Sequence, residues 1–237
     1  MLLYLLLALQ SKRDDELINV PQFVKQDENL DSFESFVAQT FNDRFLTFGP
    51  QPKASMWFSK TRQSARFAKI ADIIAECSHN GRCSVNDIGC GYGGFLDYLT
   101  YHYADLSITY AGYDIANSVI DYCVKQKQTF NAQFYLGKRP ITSADFNIMS
   151  GTFNYAPGLT AERWVAYLKT ELKIVYSKSQ RGLIFNLMIA DAPKISQAGI
   201  AYAGLQDILS FCQAKLGHTK MFDDPLLPHE RTFWIKK

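Results

Sequence analysis

Charge of one sign is missing from this 237-residue sequence: 25 Lys and Arg face 23 Asp and Glu, a formal net charge of +2. Such a chain has no net field that would by itself hold a nucleic-acid backbone or an anionic bilayer. No C-x-x-C pair occurs, and the five cysteines, Cys77, Cys83, Cys90, Cys123 and Cys212, are odd in number and lack a nearby set of His ligands. That excludes a disulfide framework and a structural zinc, leaves no metal site to expect, and fits reduced thiols in the cytoplasm. No apolar run approaches the roughly 20 residues of a membrane span. The run Met1–Leu9 starts without preceding positive charge and ends in Gln10, Ser11 and Lys12 rather than at a small-residue cleavage site. It is expected to pack on the domain or on a partner subunit, with membrane-surface or lid contact and a cleaved or anchored segment as the alternatives. Repeats and low-complexity stretches are absent too, and 47% hydrophobic with 20% charged residues is the composition of a globular chain.

What is present falls into two textures. Up to Gly81 the chain reads as helical. Apolar residues from Leu30 to Leu46 recur at three- and four-residue spacing until Gly49-Pro50, and Phe67, Ile70, Ile73 and Ile74 mark a second helix over about Thr61 to Cys77, stopped by His79-Asn80-Gly81. After Gly81, short apolar runs (Cys83–Ile88, Ile108–Tyr113, Ala132–Leu136, Phe146–Met149, Gly182–Met188) alternate with helical segments (Gly94–Tyr103, Asn117–Lys127, Ala161–Tyr176, Gly204–Lys215). This alternation predicts an α/β fold, a doubly wound and mostly parallel sheet covered on both faces. Lys220–Asp223 and Arg231–Ile235 read as a closing hairpin that adds an antiparallel strand. Residues 1–54 are expected to form a helical extension or lid, and residues 55–237 the α/β domain.

The segment Asp87-Ile88-Gly89-Cys90-Gly91-Tyr92-Gly93-Gly94 runs from a strand through a glycine-rich turn into a helix. Glycines there allow a sharp turn whose backbone comes close to a ligand. The spacing of Gly89, Gly91 and Gly94 matches G-x-G-x-x-G, so a dinucleotide must be considered. Asp87 argues against it, because a carboxylate beside a pyrophosphate is repelled, whereas a ligand carrying an ammonium and a sulfonium is attracted. Asp114, 23 positions after Gly91 at the end of the second strand, suits both ribose hydroxyls, and Ile115 would cover an adenine face. Asp114 would also serve as a helix N-cap.

Asp87, Gly89, Gly91, Gly93 and Asp114 together resemble the class I S-adenosylmethionine (SAM)-dependent methyltransferases. Trp57 to Phe67, Ser150-Gly151-Thr152-Phe153-Asn154, Tyr202-Ala203 with Phe211-Cys212, and Pro228-His229-Glu230-Arg231-Thr232 are similar to segments of a bacterial subgroup of that family. The resemblance implies a Rossmann-like, seven-stranded sheet, SAM as cofactor, and a small-molecule acceptor methylated on oxygen or nitrogen rather than carbon. Its implied cofactor contacts are Trp57, Arg66, Asp87, Gly89, Cys90, Gly91, Gly93, Asp114, Ile115, Ser150 and Gly151, with Gln63 or Arg66 near the cofactor's carboxylate. Asn154, Tyr155 and Tyr202 would meet the acceptor, and His229 is the imidazole placed to act as a general base. Many relatives carry an acid after the third strand that accepts from the adenine amino group; here Leu136-Gly137-Lys138-Arg139-Pro140 has none.

An RNA or protein methyltransferase is the rival within the same chemistry; against nucleic acid stand the near-neutral charge and the absence of an N-P-P-Y or D-P-P-Y tetrapeptide after the fourth strand. A nicotinamide oxidoreductase and a SAM-binding partner subunit without turnover are the readings from other classes. Dimerisation, if it occurs, is expected through the N-terminal helices.

Overall fold

The computed structural model describes residues 29–57 and 59–237; the run Met1–Leu9 and Phe58 lie outside them. Helix α1 (Leu30–Phe48) starts where the Asn29 side chain accepts a hydrogen bond from the Asp31 N–H, and ends at Gly49, φ 69°. One 3-10 turn, Pro52–Ser55, leads to α2 (Lys60–Cys77), capped by the Ser59 hydroxyl. Asn80 and Gly81 then adopt positive φ, the left-handed stop that the sequence spells.

The alternating region follows as β1 (Arg82–Ile88), α3 (Gly94–His102), β2 (Ser107–Asp114), α4 (Asn117–Gln126), β3 (Ala132–Leu136), β4 (Ala144–Ser150), α5 (Ala161–Ser177) and β5 (Ser179–Ala190). The chain closes with β6 (Lys194–Ile195), β7 (Ala201–Gly204), α6 (Leu205–Lys215), β8 (His218–Phe222) and β9 (Glu230–Lys236). Strands β3, β2, β1, β4 and β5 lie side by side and parallel. On the outer edge of β5, β9 pairs antiparallel from Gly182↔Lys236 to Met188↔Glu230, and β8 pairs antiparallel with β9. The expected seven strands are thus present, in the order 3-2-1-4-5-9-8.

Two further strands were not legible in the sequence. β5 runs past the last residue of β4, paired as Ser150↔Asn186, and on that same edge its end pairs in parallel with β7, whose antiparallel partner β6 is two residues long. Tyr202 and Ala203, read from the resemblance as part of a helical segment, lie in β7, and the helix begins at Leu205.

Apolar side chains of α2, α3 and α4 form one core cluster with the sheet, and those of α5, α6 and the first half of α1 form another. Phe45, toward the end of α1, packs instead with Ala116 and Val119 of α4. Helix α1 therefore bridges the two layers across the carboxyl ends of the strands.

Candidate functional site

A cavity of about 1250 Å³ opens at the carboxyl ends of β1, β2, β4 and β5, where parallel sheets bind their ligands. One drug-sized ligand needs roughly 300–1,000 Å³, so the space suffices for a cofactor and a small acceptor together. Phe33, Glu34, Val37, Phe41 and Phe45 form its α1 wall.

The glycine turn forms the floor. Gly89, Gly91 and Gly93 have φ of 75°, 53° and 75°. A Cβ on Gly89 would lie 2.8 Å from the Thr152 side chain, and one on Gly91 would come within 3.1 Å of Ser55 Oγ. Four N–H groups of the turn are bonded within the fold. Those of Gly89 and Cys90 donate to the Tyr113 carbonyl (2.7 and 3.0 Å), that of Gly93 to the Cys90 carbonyl, and that of Gly91 to Asp114 Oδ2 at 3.0 Å. The turn is therefore a close-approach surface, with these four amides unavailable to a pyrophosphate.

Asp114 lies in the cavity wall beside Ile115. Its other oxygen, Oδ1, accepts from the Ala116 N–H at 3.0 Å, so the side chain ties together the glycine turn and the entrance to α4. Desolvation pushes its carboxyl up, and the backbone donors of Ala116, Gly91 and Ile115 act the other way.

Asp87, Cys90 and Gly93 do not reach the wall. Asp87 is buried under the turn, where Oδ2 accepts from the Tyr110 hydroxyl at 2.6 Å and Oδ1 has no partner. Burial raises its carboxyl to about 7, opposed by the Tyr110 bond and reinforced by Asp114, so at neutral pH its charge is partial and screened from a ligand by the turn. The Cys90 thiol is pushed well up by its hydrogen bond with Cys123, by burial and by the nearby Asp114 and Asp87, which makes it inert. Gly93 is the left-handed residue before α3.

At the other end of the turn, Trp57, Arg66, Ser150 and Gly151 share the wall. Arg66 is buried, lies 4.0 Å from the centroid of Trp57, and donates through Nε (2.9 Å) and Nη2 (2.6 Å) to Glu230 Oε2. Asn186 Nδ2 also donates to that oxygen at 3.1 Å, while Asn186 Oδ1 accepts from the Gly151 N–H at 2.7 Å. Burial lowers Arg66, and Glu230 counters this. Arg66 is thus one half of a desolvated ion pair rather than a free cation. Sequence reasoning missed Glu230 and Asn186; Glu230 was visible in the closing motif, but its partner 164 positions away was not. Gln63 accepts from the Tyr92 hydroxyl at 3.0 Å and lies outside the wall.

Asn154, Tyr155, Tyr202 and His229 all line the cavity. Asn154 Oδ1 accepts from the Met188 N–H at 3.1 Å, Tyr155 packs edge-on against Phe41, and His229 is exposed in the loop before β9. The Ser150 hydroxyl is buried without a partner.

These residues suit SAM. Asp114 offers a carboxylate to ribose hydroxyls, the turn offers backbone at close range, and the paired charges of Arg66 and Glu230 match a zwitterionic amino-acid group. Ser150 adds an unused hydroxyl.

No family model matches the chain. Over 135 residues it is 29% identical to the protein named Putative methyltransferase Rv1506c from Mycobacterium tuberculosis, covering 56% of this chain and 80% of that one. Among solved structures it is similar to the magnesium protoporphyrin IX methyltransferase of Synechocystis PCC 6803 with bound SAM (TM-score 0.61, 13% identity, 86% of this chain and 96% of that one). A SAM-dependent methyltransferase from Leishmania major gives a TM-score of 0.61 at 11% identity, over 84% of this chain and 82% of that one. The chain thus shares the α/β fold of these solved structures.

Proposed function

We propose that the chain transfers a methyl group from SAM to the oxygen or nitrogen of a small-molecule acceptor. The observation that carries this reading is the glycine turn, four of whose amides are bonded internally, with Asp114 beside it in the cavity wall. When bound, SAM supplies an electrophilic methyl on a sulfonium. The chain's own residues then have to align the acceptor and keep water out, which is where most of the catalysis in such a displacement lies.

In this reading Asp114 and Ile115 hold the adenosine, Gly89 and Gly91 lie beneath it, and Trp57, Arg66, Ser150 and Gly151 meet the amino-acid end. Asp87, Cys90 and Gly93 act indirectly, by shaping the turn from below. Asn154, Tyr155 and Tyr202 border the acceptor. His229 takes a proton if the acceptor is a hydroxyl. Helix α1 acts as the lid, since five of its residues form one side of the cavity. No helix among the described residues is long and apolar enough to cross a membrane. Five free cysteines support a reducing compartment, the cytoplasm.

The size of the cavity favours a small acceptor over a polymer. Incubating the protein with methyl-labelled SAM and a fractionated cell extract should place the label in molecules below about 1 kDa, the size class that fits a pocket of this kind. Label in RNA or protein would replace the small-molecule reading, and cofactor binding without label in any fraction would favour a partner subunit without turnover.

A further inference from the structure

The adenosine site described above contains a carboxylate contributed by the lid. Three carboxylates line the cavity among the described residues: Asp114, Glu230 and Glu34. Asp114 is occupied with the turn and the ribose position, and Glu230 is held by Arg66. Glu34, on the first turns of α1, remains.

Its surroundings fix where it acts. The Gly137 N–H donates to the Asp114 carbonyl at 2.8 Å, so the segment after β3 runs beside Ile115, on the side away from the glycine turn. A nucleoside whose ribose sits at Asp114 and whose base covers Ile115 therefore points its base edge toward Gly137 and Lys138, both in the cavity wall. Lys138 Nζ donates to Glu34 Oε1 at 2.5 Å, and the Tyr167 hydroxyl donates to the same oxygen at 2.9 Å. Oε2 takes neither bond. The Glu34 side chain is only 18% exposed, and it is anchored from two other elements, the loop after β3 and helix α5.

We propose that Glu34 reads the 6-amino group of adenine, so that the lid helix, and not the segment after β3, completes base recognition. An adenine amino group is a donor and matches a carboxylate, which only accepts; a 6-oxo purine presents an acceptor to an acceptor and is rejected. Cofactor selection and lid closure are then one event, because Glu34 reaches the base only when α1 lies across the cavity.

The inference rests on the adenosine reading, and the test separates the two. Calorimetry compares S-adenosylhomocysteine with its 6-oxo counterpart, S-inosylhomocysteine, on the full chain. The native protein should prefer the adenine compound by something on the order of 10- to 100-fold, the range of one charge-assisted hydrogen bond. Glu34→Gln, whose amide also donates, should bring the two affinities to within about threefold. Lys138→Met removes the ion pair but keeps the carboxylate, so the preference should persist even if both affinities fall. An unchanged preference in Glu34→Gln, or an equal loss of preference in Lys138→Met, overturns the assignment. Failure of the native protein to bind S-adenosylhomocysteine would instead remove the adenosine reading beneath it.

Discussion

At the scale of single residues, burial decides what the conspicuous side chains do. Asp87 is the clearest case: its carboxyl rises from 3.8 to about 7 because it lies beneath the turn with one oxygen unpaired. A carboxyl raised in the folded chain holds a proton that the unfolded chain releases, so the stability it confers is present below about pH 4 and lost as pH rises through about 7. The rise corresponds to about 4 kcal/mol across that window. Asp87→Asn, which still accepts from Tyr110, should therefore gain stability relative to the native chain between pH 5 and pH 8. Urea unfolding of both proteins at the two pH values checks this, and a constant difference would show that Asp87 is charged in the fold at neutral pH. Sequence reasoning found Asp87 and Asp114 by spacing but could not tell their environments apart. Asp114 lines the cavity and Asp87 bonds Tyr110: the register Asp87↔Gly112 puts both acids on one face of the sheet, and Asp114 lies two positions further toward its carboxyl end. Arg66 was likewise legible as a buried-site cation but not as half of an ion pair, because Glu230 comes from the last strand.

At the scale of elements, periodicity revealed the helices well, since the amphipathic stripes of α1 and α2 and their caps are local features. The strands β6 and β7 were hidden because they are short and exist only where β5 overruns β4. The docking of α1 was equally illegible. Asn42 supplies one anchor: its Oδ1 accepts from both the N–H (2.9 Å) and the hydroxyl (2.8 Å) of Ser118, in the first turn of α4, where Ala116 provides no side-chain cap. The lid helix thus caps a neighbouring helix. Asn42→Ala should cost about 1 kcal/mol of stability, the usual value of a lost cap, and should slow methyl transfer more than it weakens S-adenosylhomocysteine binding. Denaturant unfolding together with binding and turnover measurements checks the pair of effects. A loss of stability with transfer unimpaired would reduce α1 to a structural brace.

At the scale of the whole molecule, the strand order 3-2-1-4-5-9-8 brings Gly89, Asp114, Gly151 and Glu230, spread over more than 140 positions, to one end of the sheet. The alternation of strands and helices predicted that sheet, and the rule that ligands sit at the carboxyl ends predicted which end. The same rule reaches Asn154 and Tyr155, just after β4, whereas the walls supplied by α1, β7 and the loop before β9 followed from neither. The central claim is that this end of the sheet holds an adenosine sulfonium cofactor and not a dinucleotide. Calorimetry of the full chain with S-adenosylhomocysteine and with NADH tests it most directly. The account predicts saturable binding of S-adenosylhomocysteine, weakened about a hundredfold or more in Asp114→Ala through the loss of two charge-assisted hydrogen bonds, and no binding of NADH. Tight NADH binding with no signal from S-adenosylhomocysteine would contradict it.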